Sequence, residues 1–227
     1  MARVLNPAAY AARRDAILDA AERMIRTSGY EQMSIQDIQD ELGVSRGAIY
    51  HYFESKADIL EGVVERTGDT VIKILEPIAA DPSLAPLAKL QQVFSAAGHW
   101  KIQRKELMLA VALAWYSDHN VLVRDRLRDV MNARFAPIIA DILRQGKAQA
   151  VFDVSSPEHA STILMGLLLD TGDAVKDLLF ARVAGTIPFE EVAAFVAAYN
   201  EAFERILGLP AGSFELIDSP TLHAWFD

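Results

Sequence analysis

Residues 34–60, SIQDIQDELGVSRGAIYHYFESKADIL, constrain the fold more than any other part of this chain. Ser34, with Asp37 three residues on, has the form of a capping box: the hydroxyl accepts an orphan backbone amide and the carboxylate reaches back to the cap. Ile35, Ile38 and Leu42 then fall at i, i+3 and i+7, one apolar face of a helix of about two turns. Gly43 stands where a left-handed residue ends that helix, and Val44 re-enters the core. Ser45 is placed to cap a second helix through Arg46, Ala48, Ile49 and Tyr50. Ile49 and Phe53 lie four apart and face inward, which leaves Arg46, Gly47, Tyr50 and His51 for the opposite side. A helix, a tight glycine turn and a second helix make a helix-turn-helix. Ser55 and Asp58 repeat the cap pattern and open a further helix with Lys56 in its first turn. A cation is unfavourable beside a helix N-terminus, so an outside anion, a nucleic-acid phosphate for instance, is expected there.

The rest of the chain also reads as helix, with no convincing strand alternation, and the expected fold class is all-α. Asn6 and Pro7 open a first helix whose inward stripe is Ile17, Ala21, Met24 and Ile25, and Gly29 ends it. The helix from Ser55 runs toward Leu75, with Pro77 and the Pro82–Pro86 stretch marking its break. Further helices are expected at about 85–102, 104–117, 120–146, 157–181 and 188–207. A tail containing Gly208, Pro210, Gly212 and Pro220 follows. The expected division is therefore a three-helix domain over 1–54 and a larger helical domain over 55–207, with helix 55–75 linking the two and 208–227 as tail.

Composition narrows the function classes. A chain of 227 residues with 52% hydrophobic content can bury a substantial core. It has no cysteine, which excludes disulfides and thiolate chemistry. There is no basic segment followed by an apolar signal core, and apolar runs such as Leu107–Tyr116 are too short to span a bilayer. A cytoplasmic protein without membrane partners is expected. The net charge is −9. Residues 1–60 hold seven Lys and Arg against nine Asp and Glu, so non-specific affinity for nucleic acid should be poor. Placement matters more than the sum: Arg3, Arg13, Arg14, Arg46, His51 and Lys56 are candidates to cluster toward a duplex.

The run LGVSRGAIYHYFESKADIL, within a similarity from about Ala8 to Leu60, resembles the DNA-binding domain of the TetR family of transcriptional regulators. The resemblance implies a shared reading head, a divergent helical ligand domain and a dimer on a double-stranded DNA operator. By side-chain chemistry, Arg46 can bond guanine O6 and N7 or a phosphate, while Gly47 and Ala48 leave room for close approach to the groove. Gln36, Tyr50 and Tyr52 match family positions that touch bases or backbone, the tyrosines usually through their hydroxyls on phosphates. Ser34, Ser45 and Lys56 are further phosphate candidates, and His51 a backbone or base candidate whose charge adds pH dependence.

The larger domain carries no motif. Phe94, Trp100, Met108, Trp115, Tyr116, His119, Met131 and Phe135 form the mixture that lines a pocket for an apolar or aromatic effector, and equally the mixture of an ordinary core. Ile163, Leu167, Phe195, Ala198 and Tyr199 are candidates for faces left over for a four-helix homodimer interface. His99, His119 and His159 lack the spacing of a helix-borne zinc pair, and no catalytic serine elbow or phosphate-cradling loop occurs. No metal, cofactor or catalytic residue is expected; Asp170 and Asp173, three apart on an apolar helix, could bind a cation or polarise a ligand but are read as capping, solvent-exposed or interface groups. The expectation is a ligand-responsive dimeric repressor. Two alternatives stay open: a carrier or enzyme that has kept the fold, and an effector-blind dimeric DNA-binding protein.

Overall fold

The computed structural model describes residues 6–115 and 121–227. Among these, the chain is helix and connecting turn, with no strand. The helices are α1 (Pro7–Ser28), α2 (Ile35–Leu42), α3 (Arg46–Tyr50), α4 (Lys56–Ala80), α5 (Pro86–Ile102), α6 (Lys105–Trp115), α7 (Val121–Ala148), α8 (Pro157–Asp170), α9 (Gly172–Val183), α10 (Phe189–Leu207) and α11 (Ser219–Phe226). They fall into two compact units, residues 1–67 with 106–127 and residues 68–105 with 128–227; the boundary lies inside α4, between Thr67 and Gly68. No helix among the described residues is long and apolar enough to cross a membrane.

In the N-terminal unit, Asn6 accepts the amides of Ala8 and Ala9 and Pro7 follows it, so α1 begins where a side-chain cap and a fixed φ coincide. Its apolar face, Ile17, Leu18, Ala21 and Ile25, is buried with Ile38 of α2, Ile49 and Phe53 around α3, Ile59, Leu60 and Val63 of α4 and Ala114 of α6. Gly62 permits that packing, because a Cβ there would stand 2.9 Å from Leu18 Cδ2 and 3.0 Å from Phe53 Cε1. Arg66 of α4 binds back to α1, donating to Asp19 at 2.7 Å, to Glu22 at 2.6 Å and to the carbonyl of Asp15 at 3.2 Å.

In the C-terminal unit, Leu90 and Val93 of α5, Ile142 and Leu143 of α7, Leu164 of α8, and Val192, Phe203 and Leu207 of α10 are buried. Phe203 holds Phe214 in a parallel stack at 5.5 Å, and Phe94 meets both rings edge-on at 5.7 and 5.8 Å. The Glu204 carboxylate accepts the Phe214 amide at 3.0 Å. That bond, with others from Gly212 and Ser213, holds its carboxyl below the usual range. Lys89 is buried among neutral acceptors, donating to the Ala79 carbonyl at 3.0 Å and to Gln145 Oε1 at 2.6 Å. The ammonium thereby caps the carbonyl end of α4.

Three expectations need correction. The proline at 77 does not end its helix: α4 continues to Ala80, since a proline this near a C-terminus removes only one late bond. The helix expected over 157–181 is interrupted at Thr171, whose hydroxyl bonds back to the Leu168 carbonyl at 2.6 Å just before Gly172. The segment read as a tail carries α11, which packs on α5 and α9; Asp218 caps it by accepting the Thr221 amide at 2.8 Å.

Candidate nucleic-acid interface

The capping box at Ser34 is formed in full. The Asp37 amide donates to Ser34 Oγ at 3.1 Å, and the Ser34 amide donates to Asp37 Oδ2 at 2.9 Å. The Ser34 hydroxyl, followed by its backbone amide, holds the Asp37 carboxyl below its usual range. Ser34→Ala is expected to cost about 1 kcal/mol through loss of the cap. Asp37's lowered pKa contributes stability above the unfolded carboxylate range, and that contribution is lost as pH falls through the depressed value. The difference between wild type and Ser34→Ala in urea denaturation should therefore narrow toward acid.

Gly43 ends α2 at φ 61°, ψ 36°, with its amide on the Gln39 carbonyl, and this left-handed residue turns the chain into α3. Ser45 occupies the N-cap position of α3 in extended conformation, yet its hydroxyl makes no capping bond. The short helix is held from beneath by Ile49, fully buried, and Phe53. Its outer side presents Ser45, Arg46, Gly47 and Tyr50, all exposed, with Ala48 half-buried. Arg46 Nη2 donates to Tyr50 Oη at 3.2 Å. A Cβ on Gly47 would meet nothing within 4 Å, so the face beside Arg46 is unobstructed.

His51 and Tyr52 belong to a ring cluster completed from α1. Tyr10 tilts on Tyr52 with centroids 4.6 Å apart, and His51 stands edge-on to Tyr52 at 5.1 Å and to Tyr10 at 5.9 Å. Sequence reasoning missed Tyr10, because no local spacing joins the first turn of α1 to residues after α3. Gln36 is exposed and donates to Asp40 Oδ1 at 2.8 Å.

Lys56 has partners within the protein. Its ammonium donates to the Glu31 carbonyl at 3.1 Å and lies 4.3 Å from the centroid of the Tyr30 ring. The charge at the start of α4 is thus partly offset within the protein, which leaves the other ammonium hydrogens for an anion outside. Burial first, then Glu31 and Asp58, pushes the Tyr30 phenol up to about 12. Of the other basic candidates, Arg14 lies over Phe53 at 5.2 Å and pairs with Glu65 at 3.5 Å, whereas Arg13 is exposed. Arg3 lies outside the described residues.

Of the effector candidates described within the C-terminal unit, Met131 and Phe135 share one place, and Phe94 and Trp100 pack elsewhere. Phe94 joins the Phe203 and Phe214 stack. Trp100 is buried beneath the Arg104 guanidinium, 4.4 Å from its ring. Met131 and Phe135 lie against the Gly68 position of α4, and Met108 belongs to the other unit. Tyr116, His119 and the side chains of Trp115, Asp170 and Asp173 lie outside the described residues. A groove of about 420 Å³ instead runs along α7 and α8, with Asn132, Ala133, Ala136, Pro137, Ala140, Ser161 and Thr162 among its lining.

Of the interface candidates, Ile163 is 54% exposed and Ala198 exposed, while Leu167, Phe195 and Tyr199 are half-buried. Phe195 and Tyr199 pair on α10 at 4.9 Å. The sequence reading did not single out Val175, Phe180 and Val183, which leave α9 with apolar side chains in solvent, Val183 at 80%.

The model of bacterial regulatory proteins of the tetR family matches residues 17–63. The transcriptional repressor BepR of Brucella suis biovar 1 is 37% identical over 162 residues, which span 68% of this chain and 76% of that protein. The repressor KstR2 of Mycolicibacterium smegmatis is 27% identical over 151 residues, 65% of this chain and 71% of its own. The structure of SmeT with triclosan shares the fold at a TM-score of 0.60 and 21% identity, covering 89% of this chain and 94% of SmeT, a protein of Stenotrophomonas maltophilia. The chain is a helix-turn-helix, DNA-binding transcriptional regulator. It belongs to the TetR family.

Proposed function

We propose that the chain acts in the cytoplasm as a homodimeric repressor, released from a near-palindromic operator by a small apolar or aromatic effector. The observation that carries this reading is the outer face of α3, where Ser45, Arg46, Gly47 and Tyr50 stand exposed over the buried Ile49. Such a face enters a major groove, with Arg46 toward bases and Tyr50, Tyr52, His51, Ser34, Gln36 and Ser45 near the edges and backbone. Repression is favoured because BepR and KstR2 are both named repressors.

A dimer places two such faces one helical turn apart. The exposed apolar side chains of α8 and α9, Ile163, Val175, Phe180 and Val183, together with the Phe195–Tyr199 pair of α10, favour a face that a second copy covers. Ile163→Asp is expected to shift the mass in light scattering from dimer to monomer at micromolar protein. A wild-type monomer at that concentration would sink the dimer reading.

Effector binding is assigned to the C-terminal unit, whose open groove along α7 and α8 mixes Ala133, Ala136, Pro137 and Ala140 with Asp129, Arg144 and Glu158. SmeT, of like fold, is seen in complex with triclosan. A hundredfold release needs an effector that prefers the DNA-incompetent state by about 2.7 kcal/mol. Screening apolar aromatic compounds for release of a fluorescent operator tests this; an effector that binds without shifting affinity contradicts it.

A further inference from the structure

Arg46 and Tyr50 are one turn apart on α3, and both are exposed on its outer face. Arg46 Nη2 donates to Tyr50 Oη at 3.2 Å, with Arg46 Cζ 5.3 Å from the centroid of the Tyr50 ring. A guanidinium has five N–H donors in one plane. One spent on the phenol leaves four, on Nε, Nη2 and Nη1, from which a bidentate contact draws an adjacent pair. Guanine offers two acceptors, O6 and N7, on its major-groove edge. An unanchored arginine samples many rotamers, whereas one tethered at Nη2 is partly ordered before it meets DNA. Gly47 beside it adds no side chain to deflect the fork.

We propose that Arg46 reads a guanine of the operator and that the Tyr50 hydroxyl is a specificity-determining positioning residue, acting through its hydrogen bond to Arg46. The phenol accepts from the guanidinium and fixes the direction of its free edge. Its removal therefore erodes the preference for one base pair in each half-site. A hydroxyl that served as a phosphate contact would weaken all duplexes alike, since phosphates carry no sequence.

The test uses the full chain and the duplex that the wild-type protein selects from a random library, so failure of this proposal is separate from failure of the operator reading. Binding of wild type, Arg46→Ala, Tyr50→Phe and the double variant is measured on every single-base-pair variant of that duplex. Arg46→Ala should erase a guanine preference of about tenfold at one position of each half-site. Tyr50→Phe, which keeps the ring and so the packing, should lose about three- to tenfold of it at the same position only. The double variant should match Arg46→Ala there, the mark of one coupled pair. Uniform weakening by Tyr50→Phe across all duplexes would overturn the proposal, as would base preferences left intact by Arg46→Ala.

Discussion

Ile49→Ala is expected to lower operator affinity by about tenfold or more and to destabilise the N-terminal unit by about 2–5 kcal/mol. The helix that carries Arg46 is five residues long, too short to hold itself together in water. It is ordered because Ile49, fully buried, and Phe53 dock into the cluster built by Leu18, Ile38 and Leu60. Cutting the isoleucine to a methyl leaves a cavity beneath the helix and frees its outer residues to sample conformations that do not fit a groove. Since a whole domain is stable by only about 5–15 kcal/mol, the loss is a large share of the total. Thermal unfolding and anisotropy titration on the selected operator check the two effects. Unchanged affinity in a measurably destabilised variant would mean that burial of Ile49 does not order the reading face.

Phe203→Ala should cost about 3–5 kcal/mol in urea denaturation followed by far-ultraviolet dichroism. Phe203 is fully buried and touches two other rings, Phe94 edge-on and Phe214 in a parallel stack, so truncation forfeits ring pairing as well as burial. Its sequence neighbour Glu204 holds the Phe214 amide. The loop that returns the chain toward α11 is thus fixed at one spot by both a ring stack and a carboxylate. The loss should appear as easier proteolysis of residues 208–227 before global unfolding. Protease resistance equal to wild type would show that the segment is held elsewhere, for example by Lys105 on the Ala224 carbonyl and Arg182 on Asp227.

The parts legible in the sequence were those set by neighbours along the chain. Ser34 and Asp37 are three residues apart, and Gly43 follows directly on its helix, so the caps and the turn follow from local chemistry. The buried pair Ile49 and Phe53 follows from helical spacing in the same way. The partners of Lys56 within the protein, the Glu31 carbonyl and the Tyr30 ring, were not legible because they come from the turn between α1 and α2. Tyr10 was invisible for the same reason, its partners Tyr52 and His51 being brought to it only by tertiary packing. Among the effector candidates, aromatic and methionine spacing told which residues are apolar but not which face each joins. Phe94 went to the Phe203 stack and Met131 to the Gly68 position of α4. Helix α11 had local signals, Asp218 before Ser219 and Pro220, that the glycines and prolines around it obscured.

Two copies of the Arg46 face are expected to read two half-sites of one duplex. Selection of bound duplexes from a random library, followed by a salt titration on the winner, tests it most directly. The expected result is an enriched inverted repeat with half-sites about 10 base pairs apart, and an affinity that falls steeply with salt. A folded protein that enriches no sequence, or an enriched site without an inverted repeat, would contradict it.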